Sequence, residues 1–135
     1  MKIVINACYG GFGLSEEGMK RYTKLKGIRI YPEKTKYGFT VYWTVPKNKR
    51  VKPLGDHPTT EEIIKYNKTY DTQTIYDQNI ERDDPALVQA VEELREMASG
   101  SFAQLKIVKI PDDVQWEIDE YDGVEHIDEI HRTWG

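Results

Sequence analysis

Few of the features that announce a function are present. The 135-residue chain holds one cysteine, Cys8, so there is no internal disulfide framework and a reducing compartment fits. No apolar stretch approaches the ~18–20 residues of a membrane span. The first residues lack the apolar core and cleavage site of a signal peptide. A soluble, cytoplasmic chain with no membrane partner is expected. The formal net charge of −4 opposes general nucleic-acid binding. No nucleophile–base frame stands out: Ser15 sits in Gly-Leu-Ser-Glu-Glu rather than Gly-x-Ser-x-Gly. No repeat is visible, and no cofactor is expected.

What is present begins at the N-terminus. Lys2-Ile3-Val4-Ile5-Asn6-Ala7-Cys8 reads as a buried strand. It runs into Tyr9-Gly10-Gly11-Phe12-Gly13-Leu14-Ser15, a glycine loop that ends on a helix N-cap. Glycines allow positive φ and close approach of the backbone to a ligand. A helix N-terminus adds free N–H groups and the positive end of a dipole. The pattern suggests a pocket for an anion, most simply a phosphate. It is neither a Walker A loop nor a Gly-x-Gly-x-x-Gly fingerprint, and glycines needed only for a tight turn explain it equally well. Tyr9 and Phe12 suit either stacking on a base or the core. Cys8 reads as a small buried hydrophobe, with reactivity the rarer alternative.

By length this is one domain, residues 1–135, with an irregular, partly mobile insertion over 46–80. Ser15 caps a helix running to about Lys26, stopped by Gly27, with Met19, Tyr22 and Leu25 inward. Strands are expected over Ile28–Tyr31, ended or edged by Pro32, and over Tyr37–Val45. Between Thr59 and Asn79, a helix opening at Thr60 and a strand over Thr72–Tyr76 are the two visible hints. Asp84-Pro85 opens the clearest helix, closed by Gly100. Leu105–Ile110 and the alternating Val114, Trp116, Ile118 read as strands. Asp122-Gly123 signals a hairpin returning over Val124–Thr133, with a short helix as the rival. The order β-α-β-β-loop-α-β-β-β implies an α+β (mixed α/β) fold: two helices packed on a largely antiparallel sheet.

Charge is unevenly placed. Lys20 to Lys52 holds eleven Lys or Arg and one acid, Glu33, whereas Asp112 to Glu129 holds nine acids and no Lys or Arg. Two solvated faces are the plain explanation, and a local field or subunit docking the functional one. The loop Lys47–Lys52 is a solvated turn or a lid on an anion. Glu125, His126, Asp128, Glu129 and His131 invite a metal. On a strand, however, His126 and Asp128 share one face and Glu125, Glu129 and His131 the other, so no metal site is expected. The terminal Arg132-Thr133-Trp134 suits a core anchor or an interface.

Both ends of the chain resemble a family of small bacteriophage accessory proteins. The stretches that carry this are Lys2 through Ser15, Arg82-Asp83-Asp84-Pro85-Ala86-Leu87-Val88, Leu105-Lys106-Ile107-Val108, Tyr121-Asp122-Gly123-Val124-Glu125-His126-Ile127 and His131-Arg132-Thr133-Trp134; residues 45–80 stand outside it. The resemblance transfers no functional residue. It implies a phage context, in which such proteins counter host defence by sequestering a nucleotide signal or blocking a host protein.

Three functions follow. In the first, the chain sequesters a small phosphate-bearing nucleotide without turnover, as a homo-oligomer. Tyr9, Gly10, Gly11, Phe12, Gly13 and Ser15 then form the pocket, and Arg29, Lys49 and Arg50 add charge. In the second, an acidic inhibitor binds a host protein through Glu117, Asp119, Glu120, Asp122 and Glu125, in the manner of a nucleic-acid mimic. In the third, a small nucleotide or sugar-phosphate enzyme uses Glu16, Glu17 or Cys8.

Overall fold

The structure, a computed structural model, describes residues 1–130. In chain order its elements are β1 (Lys2–Asn6), α1 (Glu16–Leu25), β2 (Tyr31–Lys34), β3 (Thr40–Trp43), α2 (Thr60–Gln73), β4 (Thr74–Ile75), α3 (Pro85–Leu94), β5 (Leu105–Lys109), β6 (Trp116–Tyr121) and β7 (Val124–Glu129). The fold is α+β, and every strand pairing among the described residues is antiparallel. Among the described residues there are three α-helices rather than two, and three small ladders, β1-β5, β2-β3-β4 and β6-β7, rather than one sheet. The chain forms two compact units. One joins Met1–Gly27 to the segment from Ile80 onward, and the other is Ile28–Asn79.

In the first unit, Ile3, Val4, Ile5 and Asn6 of β1 are all buried, which fits their near-continuous apolar run. Ile3 faces Val108 and Ile5 faces Lys106 on β5. On the other edge of β1 the alternate N–H groups find different acceptors. The Val4 N–H donates to the Arg82 carbonyl (2.9 Å) and the Asn6 N–H to Glu125 Oε1 (2.8 Å). Buried backbone donors need such partners. Here they come from a loop and a side chain, and among the described residues no strand besides β5 pairs with β1.

Helix α1 starts where Ser15 accepts from the Gly18 N–H (3.0 Å), buries Met19 and Tyr22, and is followed by Gly27 at φ +71°. Helix α3 starts where Asp84 accepts from the Ala86 N–H (2.9 Å), with Pro85 in its first turn. It buries Leu87, Val88, Ala90 and Val91 and packs on α1, β1 and β5. It ends at Leu94, earlier than the Gly100 stop suggests. Arg95 takes φ +54° and a 3-10 turn carries the chain through Ala98. Asp122 and Gly123, at φ +51° and +91°, close the β6–β7 hairpin. Residues 124–129 are strand, as the turn chemistry implies. The remainder of the expected strand beyond Ile130, with His131 and Trp134, lies outside the described residues.

In the second unit, β3 is central and β2 an edge. Strand β2 lies at Tyr31–Lys34, so Pro32 sits within it rather than ending it; an edge strand tolerates the missing donor. The register Tyr31↔Trp43 and the turn at Thr35–Phe39, with Gly38 at φ +91°, set those bounds and shorten β3 to four residues. The stretch expected to be irregular contains α2, fourteen residues long. Its start is a capping box: Glu62 N–H to Thr59 Oγ1 (3.1 Å) and Thr59 N–H to Glu62 Oε1 (3.4 Å). No residue of α2 is fully buried; its half-buried face is Tyr66, Thr69, Tyr70 and Gln73, tyrosine and polar side chains in place of the aliphatic stripe by which helices are usually read. Trp43 is buried, edge-on to Tyr70 with centroids 5.3 Å apart.

Candidate functional site

The glycine loop is held by backbone from elsewhere in its own unit. A Cβ on Gly10 would lie 1.7 Å from the Phe102 carbonyl oxygen. The Gly100 N–H donates to Gly13 O (2.8 Å), and the Ser15 N–H to Ala98 O (2.9 Å). Ser15 Oγ donates to the Met97 carbonyl while accepting from Gly18. A Cβ on Gly123 would meet Gly11 N at 2.6 Å, so the β6–β7 turn also presses on the loop. Phe12 is buried and Leu14 with it, whereas Tyr9 is 73 % exposed. Cys8 is half-buried and its thiol donates to Phe102 O (3.0 Å). The first turn of α1 carries Glu16 and Glu17, which oppose an anion there. Gly10 thus serves close packing of chain on chain, Gly11 a positive φ, and the Ser15 N–H at the start of α1 is already taken by Ala98.

Arg29, Lys49 and Arg50 belong to the other unit. Arg29 stands over the Tyr31 ring (5.5 Å). Arg50 pairs with Glu33 (2.7 Å) and lies over Trp43 (4.9 Å), so its charge already has partners. Lys49 is exposed on the 3-10 turn Lys47–Lys49.

The most connected polar group was not singled out by sequence. Asn6 is fully buried and its amide donates to Cys8 O and Gly123 O, both 2.7 Å, while Oδ1 accepts from Gln104 N (2.8 Å). Beside it Arg82 makes a bidentate pair with Glu125 (2.6 and 2.9 Å) and covers the Phe12 ring at 3.6 Å. This knot ties β1, the glycine loop and β7 together. Glu125, expected on a partner-facing surface, is therefore a buried structural residue. Strand alternation separates it from Val124, His126 and Asp128 but does not say which face turns inward.

That opposite face is the hairpin's outer one. The register pairs Glu117 with Asp128, Asp119 with His126, and Tyr121 with Val124. Glu117, Asp119, Glu120 and Asp122 are exposed, and Tyr121 at the tip is 79 % exposed. Of the nine acids from Asp112 to Glu129, Glu125 pairs with Arg82 and Asp112 with the Met1 ammonium; among the described residues the other seven have no Lys or Arg partner. His126 Nε2 stands 3.3 Å from Asp119 Oδ2 and 3.5 Å from Asp128 Oδ2. These three residues can bring one donor atom each within 4.8 Å of one another, the spacing a divalent cation would need. Asp119 completes the group from the neighbouring strand, which a reading of one strand at a time misses.

No protein-family model, curated protein or solved structure matches the chain. Among the described residues no helix is long and apolar enough to cross a membrane.

Proposed function

We propose that the protein is a binding protein whose β6–β7 hairpin docks on a basic surface of a protein partner. The observation that carries this is the acidic outer face, which has no Lys or Arg partner among the described residues: Glu117, Asp119 and Asp128 around His126, continued at the turn by Glu120 and Asp122, beside the exposed ring of Tyr121. A cluster of carboxylates with no Lys or Arg partner among the described residues favours a cationic partner and repels anions. An exposed aromatic at the tip supplies the anchor that interfaces commonly use. The hairpin is anchored from behind by the Arg82–Glu125 pair, which reduces the ordering that binding would have to impose. The likeness of both chain ends to small phage proteins directs the proposal to a host protein as that partner. Sequestration of a phosphate-bearing nucleotide by the glycine loop draws less support, because the chain's own backbone packs against the loop.

The test is affinity capture from host extract with three forms: wild type, the triple reversal Glu117→Lys/Asp119→Lys/Asp128→Lys, and Gly11→Val. Cross-linking with mass spectrometry reads the contact. The expected result is one defined protein cross-linked at the hairpin, lost in the triple reversal and kept by Gly11→Val. A partner kept by the reversal and lost by Gly11→Val would overturn the proposal and return attention to the glycine loop.

A further inference from the structure

A second feature, a cavity, lies in the unit formed by residues 28–79. Strand β4 covers β3 only at Tyr42 and Trp43, its partners Ile75 and Thr74. After Ile75 the chain turns away through the 3-10 turn Asp77–Asn79. The first half of β3 is left uncovered on that edge, and a cavity of about 330 Å³ opens there. Its lining includes Phe39, Tyr42, Tyr70, Tyr76, Asp71 and Asn79. The volume lies at the lower end of the range for small-ligand pockets, about 300–1,000 Å³.

The chemistry of the lining selects the ligand. Four of these residues are aromatic, and aromatic faces carry a negative quadrupole that attracts cations. The only ionisable group of a charged residue in the lining is the Asp71 carboxylate; no Lys, Arg or His contributes. An anion would meet that carboxylate with nothing to offset it. The unit's own cations do not fill the role: Arg29, Lys36 and Arg50 stand over Tyr31, Tyr37 and Trp43, none of which lines the cavity. Tyr70 is held in place, edge-on to Trp43 and stacked on Tyr66 with centroids 5.9 Å apart. Phe39 and Tyr76 are 56 % and 61 % exposed, apolar surface that a ligand would cover.

We propose that this cavity binds an organic cation of the quaternary-ammonium class, its head group against the rings of Phe39, Tyr70 and Tyr76 and its charge balanced by Asp71. Such a head group occurs on free small molecules and on trimethylated lysine side chains. The site is independent of the hairpin and stands or falls apart from it.

The test is an NMR titration of the full chain with three probes: choline, its neutral isostere 3,3-dimethylbutan-1-ol, and a short peptide carrying trimethyllysine. The expected result is that choline shifts resonances of β3, β4 and the C-terminal turn of α2. It should bind about fivefold tighter than the isostere, the size of a moderately exposed cation–π contribution. Asp71→Asn and Tyr76→Ala should each weaken choline binding about threefold or more. Both residues are exposed, and an unchanged circular dichroism spectrum shows that the fold is kept. A peptide that binds more tightly than choline supports the proposal with a modified side chain as source; a peptide that binds no better supports it with a free small molecule. Equal affinity for choline and the isostere would overturn it, since the cavity would then recognise shape alone. Absence of shifts with both choline and the peptide would also overturn it, as would choline binding left unchanged by both substitutions.

Discussion

Arg82 and Glu125 are 43 residues apart in the chain and meet almost out of contact with water, with side chains 14 % and 8 % exposed. Removing one partner leaves the other charge buried and unpaired. Arg82→Met should therefore cost about 3–5 kcal/mol, read by urea denaturation. The double variant Arg82→Met/Glu125→Leu should lose clearly less than the sum of the single losses, because no orphan charge remains. Asp84 gives a pH signature. Burial opposes its ionisation, yet hydrogen bonds from Tyr22 Oη (2.8 Å), the Ala86 N–H and Lys26 hold its carboxyl below the ordinary value. Burial, then the bond to Asp84, pushes the Tyr22 phenol up, so it stays a donor throughout. A depressed folded pKa stabilises the protein above the unfolded value, about 3.9, and that contribution is lost as pH falls through the folded value. Asp84→Asn should lower the unfolding temperature at pH 7, and the difference from wild type should shrink below about pH 4. A difference constant with pH would show that the charge contributes nothing. Asp84 was legible from Asp-Pro at a helix start; Arg82 was not, because nothing local marks an arginine whose partner is on a distant strand.

The glycine loop shows how an element can be located correctly and still have its purpose left open. Strand, loop and capped helix all form where the residues place them. Which surface the loop faces depends on the chain at Phe102, Gly100 and Gly123, none of it nearby in sequence. The glycines therefore separate in mutational cost. Gly11 has φ +86° and open space around its Cα, so Gly11→Ala should cost about 1 kcal/mol of backbone strain. Gly10→Ala drives a methyl into the Phe102 backbone and should cost about 3 kcal/mol, at the upper end of overpacking losses. Urea denaturation of the pair decides between packing and ligand roles: a loop kept open for a ligand would show both substitutions costing about the same. Helix α2 is the converse case. Its capping box is local and readable, but its inward face is half-buried tyrosine and polar side chains, which give a weak stripe.

At the scale of the whole molecule, charge is the organising feature. The eleven cationic residues of Lys20–Lys52 and the acidic run of Asp112–Glu129 are far apart in the chain, and only the structure shows which acids have no Lys or Arg partner among the described residues. Association through a face of like charge is steered by long-range fields and screened over about 8–10 Å at physiological salt. The association rate with a basic partner should therefore fall about tenfold or more between low and high salt, with the dissociation rate changing far less. Stopped-flow or surface-binding kinetics at several ionic strengths measure this. A rate insensitive to salt would place the contact on an apolar surface instead of the hairpin.

The sequence by itself determined the α+β class, the caps at Ser15 and Asp84, the Asp122-Gly123 turn and the strands on either side of it. Each of these depends on residues within a few positions of one another, where sterics and local hydrogen bonds leave few alternatives. The tertiary structure alone decided the rest: three short ladders in place of one sheet, the backbone packed against the glycine loop, the inward turn of Glu125 towards Arg82, the grouping of Asp119 with His126 and Asp128, and the aromatic cavity beside the short β4. These depend on which distant segments meet, and that is settled by the burial of the whole core and the satisfaction of its polar groups together.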